Sequence, residues 1–303
     1  NGTTAANGRA FRIDPLGRPH RIDVVSGATQ STPIGQTFST PLQVQVFDVD
    51  SRALSNIVVT FSAPNTGASA VLDAGGSATT NASGIATLNA TANMLAGTYN
   101  IMSAAGGAQA SLTLTNAKGS QAALTASASP TNITYNGTTT LSTSGGTGTG
   151  TVSYAVTAGA SNCSVVGSTV TGTGVGICTI TATKVSDANY LETTATVDIN
   201  VNKANQTSLT ASASPSTIAF NGTTTLDAIG GSSGGAVSFA VTAGTNFCSV
   251  TGNLLTGLDV GSCTVTATRA GNALYNDVSA QVVVTVGRAL QTGWAVSGTP
   301  SAT

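Results

Sequence analysis

Apolar and polar residues alternate one for one along much of this chain. In Cys263-Thr264-Val265-Thr266-Ala267-Thr268 every second side chain is apolar and the rest are threonine, the period of a strand that buries one face only. Val197, Ile199 and Val201 repeat the pattern with Thr196, Asp198 and Asn200 facing out, and Val282, Val284 and Val286 copy it again. Leu42-Gln43-Val44-Gln45-Val46, Val58-Val59-Thr60-Phe61 and Ser111-Leu112-Thr113-Leu114 follow the same grammar. Turn signals such as Asn136-Gly137, Ser144-Gly145-Gly146 and Gly230-Gly231-Ser232 separate these runs. No segment has convincing helical periodicity. About seven short strands per module with regular turn signals predict an immunoglobulin-like sandwich; a closed barrel explains tandem repetition less well.

The modules are visible as a repeat. Leu124-Thr125-Ala126-Ser127-Ala128-Ser129-Pro130 returns as Leu209-Thr210-Ala211-Ser212-Ala213-Ser214-Pro215, an offset of 85 residues. Asn136 to Leu141 returns as Asn221 to Leu226, and Cys163 and Cys178 return as Cys248 and Cys263. Gln291, Trp294 and Pro300 stand where Gln206, Leu209 and Pro215 stood, so a further copy begins there. The expected division is an N-terminal segment over 1–20, a first module over 21–117, repeats over 118–202 and 203–286, and the start of another repeat or an orphan strand over 287–303. The linkers are only a few residues long, which predicts stiff joints. At about 3.3 Å per strand residue, three modules in a rod would span roughly 100 Å. Arrays of small modules usually span distance or present surface rather than catalyse.

Composition narrows the class. Charged residues are 7% of the 303, against about 25% in an average soluble domain. No apolar run approaches the ~18 residues of a spanning helix, and 40% apolar residues is too many for a disordered chain. The solvent face is therefore expected to be Thr, Ser and Asn, whose small polar side chains stay wet on a pleated surface. A net charge of −1 leaves no electrostatic footprint for nucleic acid or anionic lipid. Arg9, Arg12, Arg18 and Arg21 cluster beside His20, as a solvated joint or a contact for an acidic partner. The chain opens at Asn1 with neither initiator Met nor signal peptide, the expectation for a processed product or a fragment.

The two cysteine pairs, each with the same internal spacing, read as one disulfide per repeat, with buried free thiols as the alternative. Two thiols and no histidine per module fall short of a structural zinc site. Disulfides place the chain in an oxidising compartment, secreted or on a cell surface. Catalytic chemistry finds little: His20 is the only histidine, Glu192 the only glutamate, and no phosphate-binding loop opens a helix. No cofactor is expected. Asp48 and Asp50 could offer oxygens to calcium but read better as turn formers. Asn81, Asn89, Asn132, Asn136, Asn205 and Asn221 lie in glycosylation sequons, which a threonine-rich composition produces by chance. Tyr190 and Tyr275 are expected at a sandwich corner with hydroxyls bonded to backbone; sugar-stacking platforms are the alternative. Leu290, Trp294 and Val296 read as the apolar side of a first strand, and Phe11 and Ile13 as another strand without partners.

Asp187-Ala188-Asn189-Tyr190 followed by Thr194 to Gln206 resembles the closing strand of bacterial Ig-like repeats of large surface proteins, and Asn272-Ala273-Leu274-Tyr275 keeps the tyrosine. Thr40-Pro41-Leu42-Gln43-Val44, Val59-Thr60-Phe61, Ala82-Ser83-Gly84-Ile85-Ala86 and Gly97-Thr98-Tyr99 resemble invasin/intimin-type bacterial Ig-like domains. The resemblance covers nearly everything after about residue 20. It implies a non-catalytic stalk or spacer in an extracellular adhesin or surface fibre, whose partners are neighbouring modules of the same protein. Two alternatives remain: a filament subunit joined by strand addition through Leu290, Trp294 and Val296, and a module that binds a host or surface glycan or protein.

Overall fold

The computed structural model describes residues 17–290. The regular structure of these residues is strand, and the one helical element among them is a 3₁₀ turn over Asp73–Gly76. By contacts the chain forms two compact units. Unit 1 runs to Thr125 and takes in Ser144–Ser153 and Thr183–Ala195; unit 2 holds Ala126–Thr143, Tyr154–Ala182 and the chain from Thr196. The division passes through the first 85-residue copy, whose segments 144–153 and 183–195 pack with unit 1.

In unit 1, strands β1 (Arg21–Ser26), β2 (Gln30–Pro33), β3 (Leu42–Phe47), β4 (Val58–Ser62), β5 (Ala70–Leu72), β6 (Ser77–Thr79), β7 (Ile85–Leu88), β8 (Ala90–Ala92), β9 (Gly97–Ala105) and β10 (Ala108–Ala117) form three sheets. Their orders are β1-β3-β7, β2-β10-β9-β4-β6 and β5-β8. Alternate burial does what the sequence dictates: Leu42, Val44 and Val46 are buried, while Gln43 and Gln45 are only partly covered. They meet Val59, Phe61, Ile101, Leu112 and Leu114 in a single core. Tyr99, near the start of β9, donates its hydroxyl to Asn116 Oδ1 at 2.9 Å. Burial pushes that phenol up to about 12. Asn116 is itself buried and donates to the carbonyls of Ser69 and Leu95 and to Asn93 Oδ1, so no polar atom of this buried pair is wasted.

Each copy contains eight strands, one more than the turn count predicts, because the first strand breaks in two at a proline. The first has β11 (Leu124–Ser129), β12 (Asn132–Thr134), β13 (Thr138–Gly145), β14 (Val152–Ala158), β15 (Cys163–Val166), β16 (Thr169–Gly172), β17 (Gly176–Lys184) and β18 (Thr193–Asn202). The second has β19 (Leu209–Ser214), β20 (Thr217–Ala219), β21 (Thr223–Gly230), β22 (Val237–Ala243), β23 (Cys248–Thr251), β24 (Leu254–Gly257), β25 (Gly261–Arg269) and β26 (Val278–Gly287). Their sheets run β11-β13-β16-β15 with β12-β18-β17-β14, and β19-β21-β24-β23 with β20-β26-β25-β22. With strands lettered in chain order, and the halves of the broken first strand as A and A′, this is ABED against A′GFC, the immunoglobulin-like pairing. The A′ strand lies parallel to the last strand in all three cases, β2 on β10, β12 on β18 and β20 on β26. Thr139 and Thr224, both buried, return their hydroxyls to the carbonyls of Pro130 and Pro215 at the break.

The cores of the copies are small. Ile133, Leu141, Val170, Ile180, Ile199 and Val201 fill one, together with Cys163 and Cys178. Ile218, Leu226, Leu255, Val265, Val284 and Val286 fill the other, together with Cys248 and Cys263. Fully burying a Val or Ile side chain contributes about 1.5–3 kcal/mol, so each such position is a large part of a small domain's stability. Asn136 and Asn221 hold left-handed φ values of 63° and 64° in the Asn-Gly turns that lead into β13 and β21. Gly145 closes β13 at φ 81°, where a Cβ would stand 2.2 Å from the Ala123 carbonyl oxygen.

Candidate functional site

Two groups of residues recur with the repeat: the cysteines and the loop that carries the tyrosine. Cys163 on β15 is bonded to Cys178 on β17, and Cys248 on β23 to Cys263 on β25. Each bond therefore ties the ABED sheet to the A′GFC sheet. All four cysteines are at most 2% exposed, and none among the described residues is free. Thiolate chemistry needs access, so these are structural cross-links.

The tyrosine loop runs between the last two strands of each copy. Asp187 organises the first: its Oδ1 accepts the N–H groups of Asn189 and Tyr190 at 2.8 Å each, and its Oδ2 accepts the N–H and hydroxyl of Thr149 at 2.6 and 3.1 Å. Those donors, the Thr149 N–H foremost, hold the carboxyl at about 2, below its ordinary 3.8. With the loop fixed, Tyr190 forms a parallel bridge with Gly119. Gly119 donates to the Asn189 carbonyl and accepts from the Leu191 N–H, both at 2.9 Å. Asn189 Oδ1 accepts the Ala96 N–H at 2.9 Å, and Lys118 Nζ bonds the Asp187 carbonyl. Around the bridge lies a cavity of about 500 Å³, lined by Pro33, Ile34, Met94, Lys118, Tyr190 and Leu191. The packing at Gly119 is close: a Cβ there would come within 3.0 Å of Ile34 Cγ1 and 3.8 Å of the Tyr190 ring.

Unit 2 contains the same construction 85 residues on. Asn272 replaces Asp187, and its Oδ1 accepts the N–H groups of Leu274 and Tyr275 at 2.8 and 3.0 Å. Gly234 stands in place of Thr149, and the second side-chain atom, the Asn272 amide nitrogen, donates instead to the Ser233 carbonyl at 2.9 Å. Ala204 bridges Tyr275, donating to the Leu274 carbonyl and accepting from the Asn276 N–H, both at 2.9 Å. The Tyr275 ring meets the Tyr135 ring edge-on, centroids 5.5 Å apart at 83°. A glutamine after each linker residue closes the loops together. Gln121 donates to the Leu191 carbonyl at 2.7 Å and accepts the Gly148 N–H; Gln206 donates to the Asn276 carbonyl at 2.7 Å and accepts the Ser232 and Ser233 N–H groups.

This corrects the reading of Tyr190 and Tyr275 as corner tyrosines bonded to backbone. Among the described residues neither hydroxyl makes a hydrogen bond. The Asx turn at Asp187 or Asn272 saturates the loop backbone itself and turns the ring toward residues that precede the copy's first strand. Tyr99 is the tyrosine with a buried, bonded hydroxyl. One signal could have found the junction: Tyr135 and Phe220 are aromatic at the same repeat position in a chain with 4% aromatics.

The other singled-out residues are dispersed. Asp48 is buried and caps its own turn, accepting the N–H groups of Asp50 and Arg52 at 3.0 and 2.9 Å. Among the described residues no three His, Cys, Asp or Glu side chains cluster for a metal, and no helix is long and apolar enough to cross a membrane. His20 and Glu192 are exposed and lie in separate segments. Arg21 pairs with Asp23 at 3.1 Å and covers the Phe47 ring. Leu290 follows β26 outside any strand and is 90% exposed. Trp294, Val296, Phe11, Ile13, Arg9 and Arg12 lie outside the described residues.

No protein-family model matches the chain, and no curated protein does. Among solved structures the chain is similar to invasin, a bacterial integrin-binding protein, at 19% identity and a TM-score of 0.40, over 88% of this chain and 60% of that one. It is similar to a C-terminal fragment of intimin, solved with the intimin-binding domain of its translocated receptor, at 18% identity and a TM-score of 0.31, over 86% of this chain and 99% of the fragment. The Escherichia coli adhesin FdeC gives 15%, a TM-score of 0.30, and 91% and 100% coverage. This chain spans 60% of the invasin structure and 51% of a protocadherin ectodomain that it also matches. At these identities and TM-scores the likenesses assign neither a family nor an activity.

Proposed function

We propose that this chain is a non-catalytic structural stalk of an extracellular bacterial adhesin or surface fibre, with sandwich domains at 21–117, 118–202 and 203–286. The observation that carries the reading is the junction built twice to one plan: a linker residue, Gly119 or Ala204, hydrogen-bonded on both sides into the tyrosine loop that follows it. A linker so bonded has its backbone angles fixed, whereas sequential domains otherwise move freely. Holding modules at set angles is useful to a spacer and irrelevant to a catalyst. The buried inter-sheet disulfides suit an oxidising, secreted or cell-surface location.

Double electron–electron resonance between spin labels at the exposed Val166 and Leu254 tests the reading. A stalk gives one narrow distance distribution that persists at high salt. A broad distribution, as for a flexible tether, would refute it.

A further inference from the structure

The junction has two halves, and one copy shows only one of them occupied. The receiving half is the residue just after the A′ strand. Ile34, Tyr135 and Phe220 hold this place, and each donates its N–H to the end of the last strand: Ile34 to Ala117 at 3.0 Å, Tyr135 to Asn202 at 2.8 Å, Phe220 to Gly287 at 2.9 Å. Ile34 lies against Gly119 in the cavity that Tyr190 lines. Tyr135 receives the edge of Tyr275. Phe220 meets no such ring among the described residues and is 42% exposed, whereas Ile34 is 6% exposed.

We propose that Phe220 is the seat for the loop tyrosine of a further 85-residue repeat, docked as Tyr275 docks on Tyr135. The residues that follow β26, whose last carbonyl Phe220 bonds, keep the plan of the two junctions that are built. Arg288 stands in the register of Lys118 and Lys203, Ala289 in that of the bridging Gly119 and Ala204, and Gln291 in that of Gln121 and Gln206. The occupant is therefore a covalently following repeat with an Asx turn and a tyrosine in the loop before its last strand. The apolar character of the seat matters more than its identity, since isoleucine, tyrosine and phenylalanine all hold it. This deepens the stalk reading and names the partner of one surface.

The test uses the full chain extended in register: native Asn1 to Thr303 followed by a copy of residues 219–287. Nuclear Overhauser contacts between the Phe220 ring and the added copy's tyrosine ring are expected. The amide in the added loop that corresponds to Asn276 should exchange at least about tenfold more slowly than in the Phe220→Ala version, the effect of roughly 1.4 kcal/mol. Phe220→Leu should keep that protection, which separates seating from a folding defect. Absence of the ring contacts, or equal exchange with and without Phe220, would overturn the proposal. So would self-association of the unextended chain that Phe220→Ala abolishes, since the seat would then serve a second molecule. None of these results alters the Val166–Leu254 distances, so this proposal and the stalk reading fail separately.

Discussion

Removing the second cross-link by the double substitution Cys248→Ala and Cys263→Ala should loosen its own copy and leave the cysteine-free sandwich untouched. The bond closes a loop of sequence separation 15, and loop-closure entropy for that length gives about 3 kcal/mol. It joins β23 in one sheet to β25 in the other, so its loss lets the sheets separate. The core it supports is small: Cys248 and Cys263 are two of the eight buried residues in their cluster. The cluster around Leu42 and Ile101 has sixteen and no cysteine. A core that small has little reserve without a staple. Since 1.4 kcal/mol is tenfold, amides across β25 and β26 should exchange about two orders of magnitude faster. Native-state hydrogen exchange followed by mass spectrometry reads this segment by segment. Amides of β9 and β10 serve as the internal control and should not change. An effect below about threefold on β25, or an equal effect on β9, would refute the assignment of the cross-link as the staple of a small core.

The tyrosine junction should tolerate Tyr275→Phe, because its hydroxyl makes no hydrogen bond among the described residues, while Tyr275→Ala should cost about 0.5–1.5 kcal/mol at the junction; equal losses in a thermal melt would contradict the edge-on ring contact. Asp187 sits below its ordinary value in the folded loop, so its stabilising contribution is complete above the usual carboxylate range and disappears as pH falls toward about 2. The Thr149 and Tyr190 amide resonances should follow that acid titration and Asp187→Asn should remove it; an unchanged titration in the variant would assign it elsewhere. Gly145→Ala forces a Cβ to 2.2 Å from a carbonyl oxygen at φ 81°, whereas Gly167→Ala meets open space at φ 58°. The first should cost more than the roughly 1–2 kcal/mol of the left-handed backbone alone, and a urea midpoint no lower than that of Gly167→Ala would contradict the close approach.

Alternation carried most of the fold in plain sight. Val197, Ile199 and Val201 could face only one way once threonine, aspartate and asparagine stood between them. The β sandwich was legible from such runs, and the tandem copies from the 85-residue offset. The break of the first strand at Pro130 and Pro215 was less visible, because each half is too short to show a period. The tyrosine junction was barely legible: the aromatic pair Tyr135 and Phe220 at one repeat position was its one trace. Asp187 and Tyr190 are three residues apart and announce a turn, but their counterparts, Ile34, Gly119 and Ala96, are remote in sequence, and Tyr135 and Ala204 stand for Ile34 and Gly119 in the second junction. A contact between a loop and a strand end has no period, so only the coordinates bring its halves together. Asp48 shows the opposite case, a lone carboxylate whose own backbone satisfies it, as its position at a strand end implied.

The amides of Leu191 and Asn276 test the central claim most directly, because each is bonded to the carbonyl of a linker residue, Gly119 and Ala204. Residue-resolved hydrogen exchange by NMR on the full chain should find both protected well beyond exposed-loop rates. Tyr275→Ala should abolish protection at Asn276 alone. Exchange of both amides at the rate of an open loop would show that the linkers swing free, and the account of the repeats as rigidly joined sandwiches would be wrong.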